Sequence, residues 1–312
     1  SLAASFSQCR RTVQHSDPSA GPRLQYPGYG YNNRAGEGSA CAPTASACRF
    51  YRPADRDDDF ADWSANIGAS YSLTADTLTY LRLANGFRAP QTTELYRLQG
   101  GQEEADLNSE ELDNVELGLR GIWRQQLEYD LSVYLMHKDN VIFQEPVLAE
   151  RLLETRHYGA ELSLDYHPGE AWYFRLDGSW ASHTYDSEIN LLGSSGNLNG
   201  NTIEGAPETF GSARVGWNFP ALEARDGTLE LEWVYLDSYY LDPENEHQYS
   251  GHSLLNLRLS GRLDPRWRAS LRITNLLDED YAERADFGFG QYRYFVGEPR
   301  GAYLEISYQF GG

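Results

Sequence analysis

The sequence predicts an all-β fold, an antiparallel transmembrane β-barrel, from three observations. Apolar and polar residues alternate with period two from about residue 59 to the end of the chain. The connections between alternating segments run short, long, short, long. Tryptophan and phenylalanine gather near the ends of those segments. Period two gives each strand one apolar and one polar face. Unequal connections are what a barrel shows when tight turns lie on one side of a membrane and long loops on the other. Two aromatic belts mark the two interfaces.

Composition permits this reading and excludes others. Hydrophobic residues are 40% of the 312, and mean hydropathy is −0.60. No run approaches the roughly 18 apolar residues a membrane helix needs. A barrel is untouched by that test, because its strands alternate. A soluble all-β protein is the competing reading. A net charge of −20 argues against nucleic acid as a partner, since phosphate binding needs a basic face. Lys138 is the single lysine, and the other cations are arginines, which suit bidentate pairing with carboxylates.

Residues 1–58 show no periodicity and contain Pro18, Gly21, Pro22, Pro27, Gly28 and Gly30, so they read as a long extracellular loop. All three cysteines lie there. A short loop closed by a Cys41–Cys48 disulfide in an oxidising compartment is the preferred reading, leaving Cys9 over or paired outside this sequence. The start, SLAASFSQCRR, has no basic segment followed by a long apolar centre, so no secretory signal is read in it.

Residues 59–312 carry the strands. Trp63, Ile67 and Tyr71 share one face of the first, which turns at Thr74–Thr77. Leu78 to Phe87 follows, then a loop to about Asp113. Val115, Leu117 and Leu119 alternate with Glu116 and Arg120; Leu131, Val133 and Leu135 with Asp130 and Ser132. A loop near 139–155 leads to Ala160, Leu162 and Leu164, and the turn at His167–Glu170 to Trp172, Phe174 and Leu176. Beyond a Gly/Asn/Ser loop at about 186–205 come Val215 and Trp217, then Leu229, Leu231 and Trp233. Leu255 to Leu259, Trp267 to Ile273 and Leu304 to Phe310 complete the series, separated by loops near 241–250 and 279–299. The count is eleven. Bacterial single-chain barrels have even strand numbers, so this parity predicts at least one further strand upstream.

Four segments carry a family resemblance. Gly86-Phe87-Arg88-Ala89-Pro90 resembles the strand-to-loop motif of TonB-dependent receptors. Leu107 to Gly118 resembles the strand that follows it. Asn275-Leu276-Leu277-Asp278-Glu279-Asp280-Tyr281 is similar to the family's "NLFDxxY" segment. The ending through Phe310 resembles its final strand, whose terminal aromatic serves as a barrel-assembly signal. The resemblance implies that this chain is the C-terminal half of a 22-stranded barrel, with the plug domain and TonB box absent. It further implies a Gram-negative outer-membrane protein that actively imports a scarce ligand, most naturally a ferric siderophore. The partners it implies are TonB with ExbB and ExbD, reached through the plug, the barrel assembly machinery, and outer-membrane lipid and lipopolysaccharide. Residues 91–106 hold no histidine, which sets the chain apart from the heme-receptor branch. A passive porin, or a surface adhesin or phage receptor, would use the same strands.

No nucleophile–base arrangement suggests an enzyme, and neither a cofactor nor a resident metal is expected. Planar, anionic chelates are best gripped by aromatic rings and arginine forks on outer loops. Tyr96, Arg97, Tyr239, Tyr240, Tyr292, Arg293 and Tyr294 are the candidates. Arg88 is expected to fix a loop base. His247 and His252 flank a loop tip and read as a solvated loop or, alternatively, as metal ligands.

Overall fold

The computed structural model describes residues 19–32, 34, 37–39, 51–52, 54–95, 107–144, 150–190, 197–221 and 224–310. Twelve strands form one antiparallel sheet: β1 (Ser19–Gln25), β2 (Asp62–Ser72), β3 (Thr77–Arg88), β4 (Glu110–Trp123), β5 (Leu127–Gln144), β6 (Glu150–Tyr166), β7 (Trp172–Tyr185), β8 (Thr209–Ala221), β9 (Ala224–Leu236), β10 (His252–Arg262), β11 (Trp267–Thr274) and β12 (Gly301–Tyr308). Each pairs with its neighbours in chain order, the meander a barrel wall requires. Among the described residues, β1 and β12 each pair along one edge.

The strand count corrects the sequence reading. Eleven becomes twelve, because β1 lies inside the stretch read as loop, and the parity argument loses its ground. Gly21 and Pro22 hide this strand from any propensity rule. Among the described residues β1 pairs along one side, with β2, and Pro22 falls opposite Ala65, where its missing N–H breaks no described ladder bond on the other side. Other loops also carry structure. Gly28–Tyr31 pairs with Arg56–Asp59, Tyr239–Tyr240 with Gln248–Tyr249, and Ala282–Gly288 with Gln291–Val296.

Register shows why the two faces differ. Tyr166, Phe174, Val215, Leu231, Leu257, Ile273 and Ala302 fall opposite one another strand by strand, an apolar row across seven strands. On the other face, Glu128, Asp165, Arg175, Arg214, Glu232 and Asn256 make an equally continuous polar row. A one-residue slip at any pair would put charges into the apolar band. The apolar face is uncovered: Leu81, Leu117, Val133, Leu135, Phe174, Trp233 and Leu304 are all exposed. A water-soluble sandwich would bury that face, so its natural environment is lipid.

Aromatic residues bound the band. At the short-turn end Trp172 stacks on Trp217, and Trp267 packs on Tyr308. At the loop end Tyr158 meets Trp180 edge-on. The membrane-spanning parts of β6 and β7 therefore run between Tyr158 and Tyr166 and between Trp172 and Trp180, close to the roughly 9–11 residues a tilted strand needs. The 18 residues of β5 and 17 of β6 extend well past this band. Beyond Tyr158 the outward positions become charged, with Arg156 paired to Asp186 at 2.5 Å.

Candidate functional site: the concave wall and its outer rim

The polar face lines an open space of about 1940 Å³. Several of its side chains pair with one another. Arg214 bonds Glu232 at 2.6 Å, and Asn256 donates to the same carboxylate at 3.0 Å. Arg175 bonds Asp165 at 3.0 Å, and Ser163 donates to Asp177 at 2.7 Å. Nine of the lining residues carry carboxylates, against the two arginines Arg120 and Arg214, so the wall favours cations.

Two tyrosines lie flat over glycines in the next strand. Tyr80 faces Gly118 and donates to Glu116 at 2.7 Å; Tyr173 faces Gly216 and donates to Glu230 at 2.5 Å. A Cβ on Gly118 would come within 2.2 Å of the Tyr80 ring, and one on Gly216 within 2.0 Å of the Tyr173 ring. Glycine is needed there so that an aromatic ring can roof the backbone.

At the outer rim, hairpins 239–249 and 282–296 pack together. Tyr239, Leu241, Tyr249, Ala282 and Ala285 form a buried cluster. Tyr239, 7% exposed, uses its hydroxyl to accept the Ala285 N–H at 3.0 Å, so it braces the two hairpins. Tyr292 and Tyr294, 47% and 51% exposed, stack in parallel with centroids 6.2 Å apart. Arg293 bonds Asp286 at 2.5 Å on the opposite side of the hairpin. Tyr240 is half-buried, and its carbonyl accepts from Gly205 N at 2.8 Å. Of the candidate ligand contacts, the structure thus brings Tyr292, Arg293 and Tyr294 onto one exposed hairpin beside Tyr239 and Tyr240. Tyr96, Arg97, Cys9, Cys41 and Cys48 lie outside the described residues. His247 pairs with Asp242 and stacks on Phe287 at 3.5 Å, while His252 meets the Tyr249 hydroxyl at 2.9 Å and Tyr281 at 4.7 Å. The two histidines serve loop packing. Burial holds the His252 imidazole below its usual range, partly offset by Glu279.

The motif residues are braces. Arg88 is clamped by Glu110 at 2.6 and 2.7 Å and by Glu94 at 3.0 and 3.2 Å, at the base of the loop after β3. The hydrogen bonds it donates to Glu110 and Glu94 outweigh burial and raise its affinity for its proton. Burial pushes the Glu110 carboxyl up, but Arg88, the Ile142 N–H and Lys138 together bring it below the usual range. Asn275, 2% exposed with φ 48°, donates to the Glu279 and Glu298 carbonyls at 2.9 and 3.2 Å. Its carbonyl accepts from Glu279 N at 2.8 Å, and its own N–H donates to Asn256 at 3.0 Å. The Tyr281 hydroxyl accepts from Glu298 N at 3.2 Å. Phe310 is exposed at the end of the sheet.

One cluster escapes sequence reasoning. On the concave face, just beyond Tyr158, Nδ1 of His157 lies 2.7 Å from Nδ1 of His183, and His157 Nε2 lies 2.9 Å from Thr155 Oγ1. Burial, with Lys138 and the neighbouring histidines adding to it, lowers the His157 pKa to about 4. Burial lowers that of His183 too. Met136 is the register partner of His157. Parity would have put each residue on the concave side, but only register puts them side by side. On the outward side, ligand atoms of His137, Asp139 and Glu154 lie within 4.8 Å of one another, on largely accessible side chains.

Comparison with known proteins agrees with this architecture. Residues 18–276 match the family model described as TonB dependent receptor-like, beta-barrel. The chain is 22% identical over 245 residues to the Vitamin B12 transporter BtuB of Photobacterium profundum, covering 77% of this chain and 39% of that protein. It is similar in fold to the ferric yersiniabactin uptake receptor FyuA from Yersinia pestis, with TM-score 0.74, 17% identity, and coverage of 95% of this chain and 43% of that one. It is also similar to the ferric-catecholate import receptor Fiu from K12 E. coli, with TM-score 0.70, 19% identity, and coverage of 94% and 42%. The chain spans about two fifths of the length of these relatives. With an open twelve-stranded wall, a lipid-type outer face, a polar concave face and a family match over most of its length, the chain belongs to the TonB-dependent receptor-like β-barrel family.

Proposed function

We propose that this chain forms part of the wall and outer rim of an outer-membrane transporter that imports a scarce ligand, most naturally a ferric siderophore. The observation that carries the reading is the two-faced wall: continuous apolar rows outside, and inside a polar space of about 1940 Å³ that Tyr281 and Glu283, at the foot of the 282–296 hairpin, help to line. The relatives support the class of ligand, a B12 transporter beside receptors for ferric yersiniabactin and ferric catecholates. Tyr292 and Tyr294 offer stacked rings to a planar chelate, while Arg293, bonded to Asp286 on the other side of the hairpin, holds the strand that presents them. Energy would come from TonB with ExbB and ExbD. Barrel assembly machinery would insert the wall, and lipopolysaccharide would contact its exposed apolar face.

Deleting the gene in its host should abolish energy-dependent growth on one iron chelate, or on cobalamin, under limitation. Growth unchanged on every chelate and on cobalamin sinks the import reading. Uptake that persists after the proton gradient is collapsed shows a passive pore instead.

A further inference from the structure

We infer that His157 and His183, with Met136 beside them, form a copper-binding site on the concave wall just inside the outer rim. Nothing in the import reading requires this site, and it stands on a separate set of residues.

The geometry is close to that of a ligated ion. The two Nδ1 atoms are 2.7 Å apart, so one proton lies between them. A metal with bonds of about 2.0–2.1 Å to nitrogen holds two adjacent ligands about 2.9–3.4 Å apart, from right-angled to tetrahedral. Opening the pair by a few tenths of an ångström admits the ion. The ring that carried the bridging proton takes it on its Nε2, so binding needs no net loss of a proton from the pair. The opposite nitrogen of His157 is already held by Thr155 at 2.9 Å, the outer contact that orients a ligating imidazole. His157 and Thr155 are 6% and 2% exposed, so the rings have little freedom to lose on binding.

Ligand type selects the metal. Imidazole suits copper, zinc and nickel, while a thioether selects copper(I). Met136 is the only methionine in the chain, and register sets it on the same face as His157, one strand away. Facing partners across a sheet have Cβ atoms about 4.5–5.5 Å apart, within reach of a methionine side chain. The acidic wall below favours a cation. Lys138, the register partner of Thr155, acts against one. Its flexible stem lets the ammonium swing away, and removing it should tighten binding.

The test uses the full-length protein purified from outer membranes, titrated with copper(II) and, under reducing conditions, copper(I). Copper(II) should bind with the paramagnetic signature of two imidazole nitrogens. His157→Gln and His183→Gln should each weaken binding by at least about tenfold. Met136→Leu should weaken copper(I) by about tenfold while leaving copper(II) nearly unchanged. Lys138→Gln should strengthen both. Unaltered affinity in the His157→Gln/His183→Gln double variant overturns the assignment, as does a nitrogen signature lost only in His137→Gln or His247→Gln. Folding of each variant is read from heat-modifiable gel migration. For the wild-type protein, copper with ascorbate should leave oxidative adducts on His157 and His183; adducts concentrated elsewhere overturn the site without any variant.

Discussion

Arg88 and Glu110 meet through two parallel hydrogen bonds, 2.7 Å from Nε to Oε2 and 2.6 Å from Nη2 to Oε1, across the outer ends of β3 and β4. Glu94 takes the remaining side of the guanidinium and also accepts the Gln91 N–H at 2.6 Å. The loop after β3 is thereby tied to the wall at its first turn. Arg88→Met should leave two carboxylates facing each other and cost about 1–3 kcal/mol. Arg88→Lys should restore little, because an ammonium cannot span the fork. The thermal midpoint of heat-modifiable migration checks both; a Lys variant as stable as wild type refutes the bidentate argument.

The Asn275 side chain makes three hydrogen bonds to backbone groups from a left-handed conformation. Asn275→Ala should cost about 1–3 kcal/mol through unpaired buried groups, with added strain at φ 48°. Amide exchange at Glu279 should accelerate, because that N–H loses its acceptor. Protection equal to wild type there would refute the assignment.

Gly118→Ala and Gly216→Ala should each displace a tyrosine from its glycine bed and cost about 1–3 kcal/mol. Gly86→Ala makes the control: no heavy atom lies within 4 Å of the place its methyl would take, although it sits in the same strand as Tyr80. Equal midpoints for Gly86→Ala and Gly118→Ala would remove the packing argument.

His252 should titrate below the usual value of about 6.5. Burial is the main cause, and Glu279 acts in the opposite direction. A depressed folded pKa means that the unfolded form binds the proton first. The contribution to stability is whole above about pH 6.5 and is lost as pH falls through the folded value. Glu279→Gln should lower the His252 pKa further. Ring-proton resonances followed over pH measure both, and an upward shift in the variant contradicts the sign.

Tyr292→Ala and Tyr294→Ala should lower ligand capture by about tenfold with little change in stability, since a stacked aromatic contact contributes about 0.5–1.5 kcal/mol. Tyr239→Phe should act the other way round, loosening the Ala285 N–H and the packed hairpins. Cell-surface binding assays alongside thermal midpoints separate the two effects.

The strand pattern was legible because a membrane wall has no layer to bury one face partly and blur the alternation. Val115–Leu117–Leu119 and Leu131–Val133–Leu135 stand out for that reason. β1 was not legible: Gly21-Pro22 carries no strand signal, and only pairing with β2 makes it a strand. The loops were read as featureless, yet 239–249 and 282–296 are hairpins held by each other's side chains. Nothing local to either segment announces that contact.

By itself, the sequence determined the fold class, the two faces, the positions of the short turns and the family, because period two and short motifs are local properties of the chain. The tertiary structure alone decided register, and register decided the rest. It set Glu110 against Arg88, laid Tyr80 on Gly118, and brought His157 to His183. Those relationships depend on where one strand stops relative to the next, which is fixed by loop length and by the cost of exposing charge to lipid, summed over the whole wall.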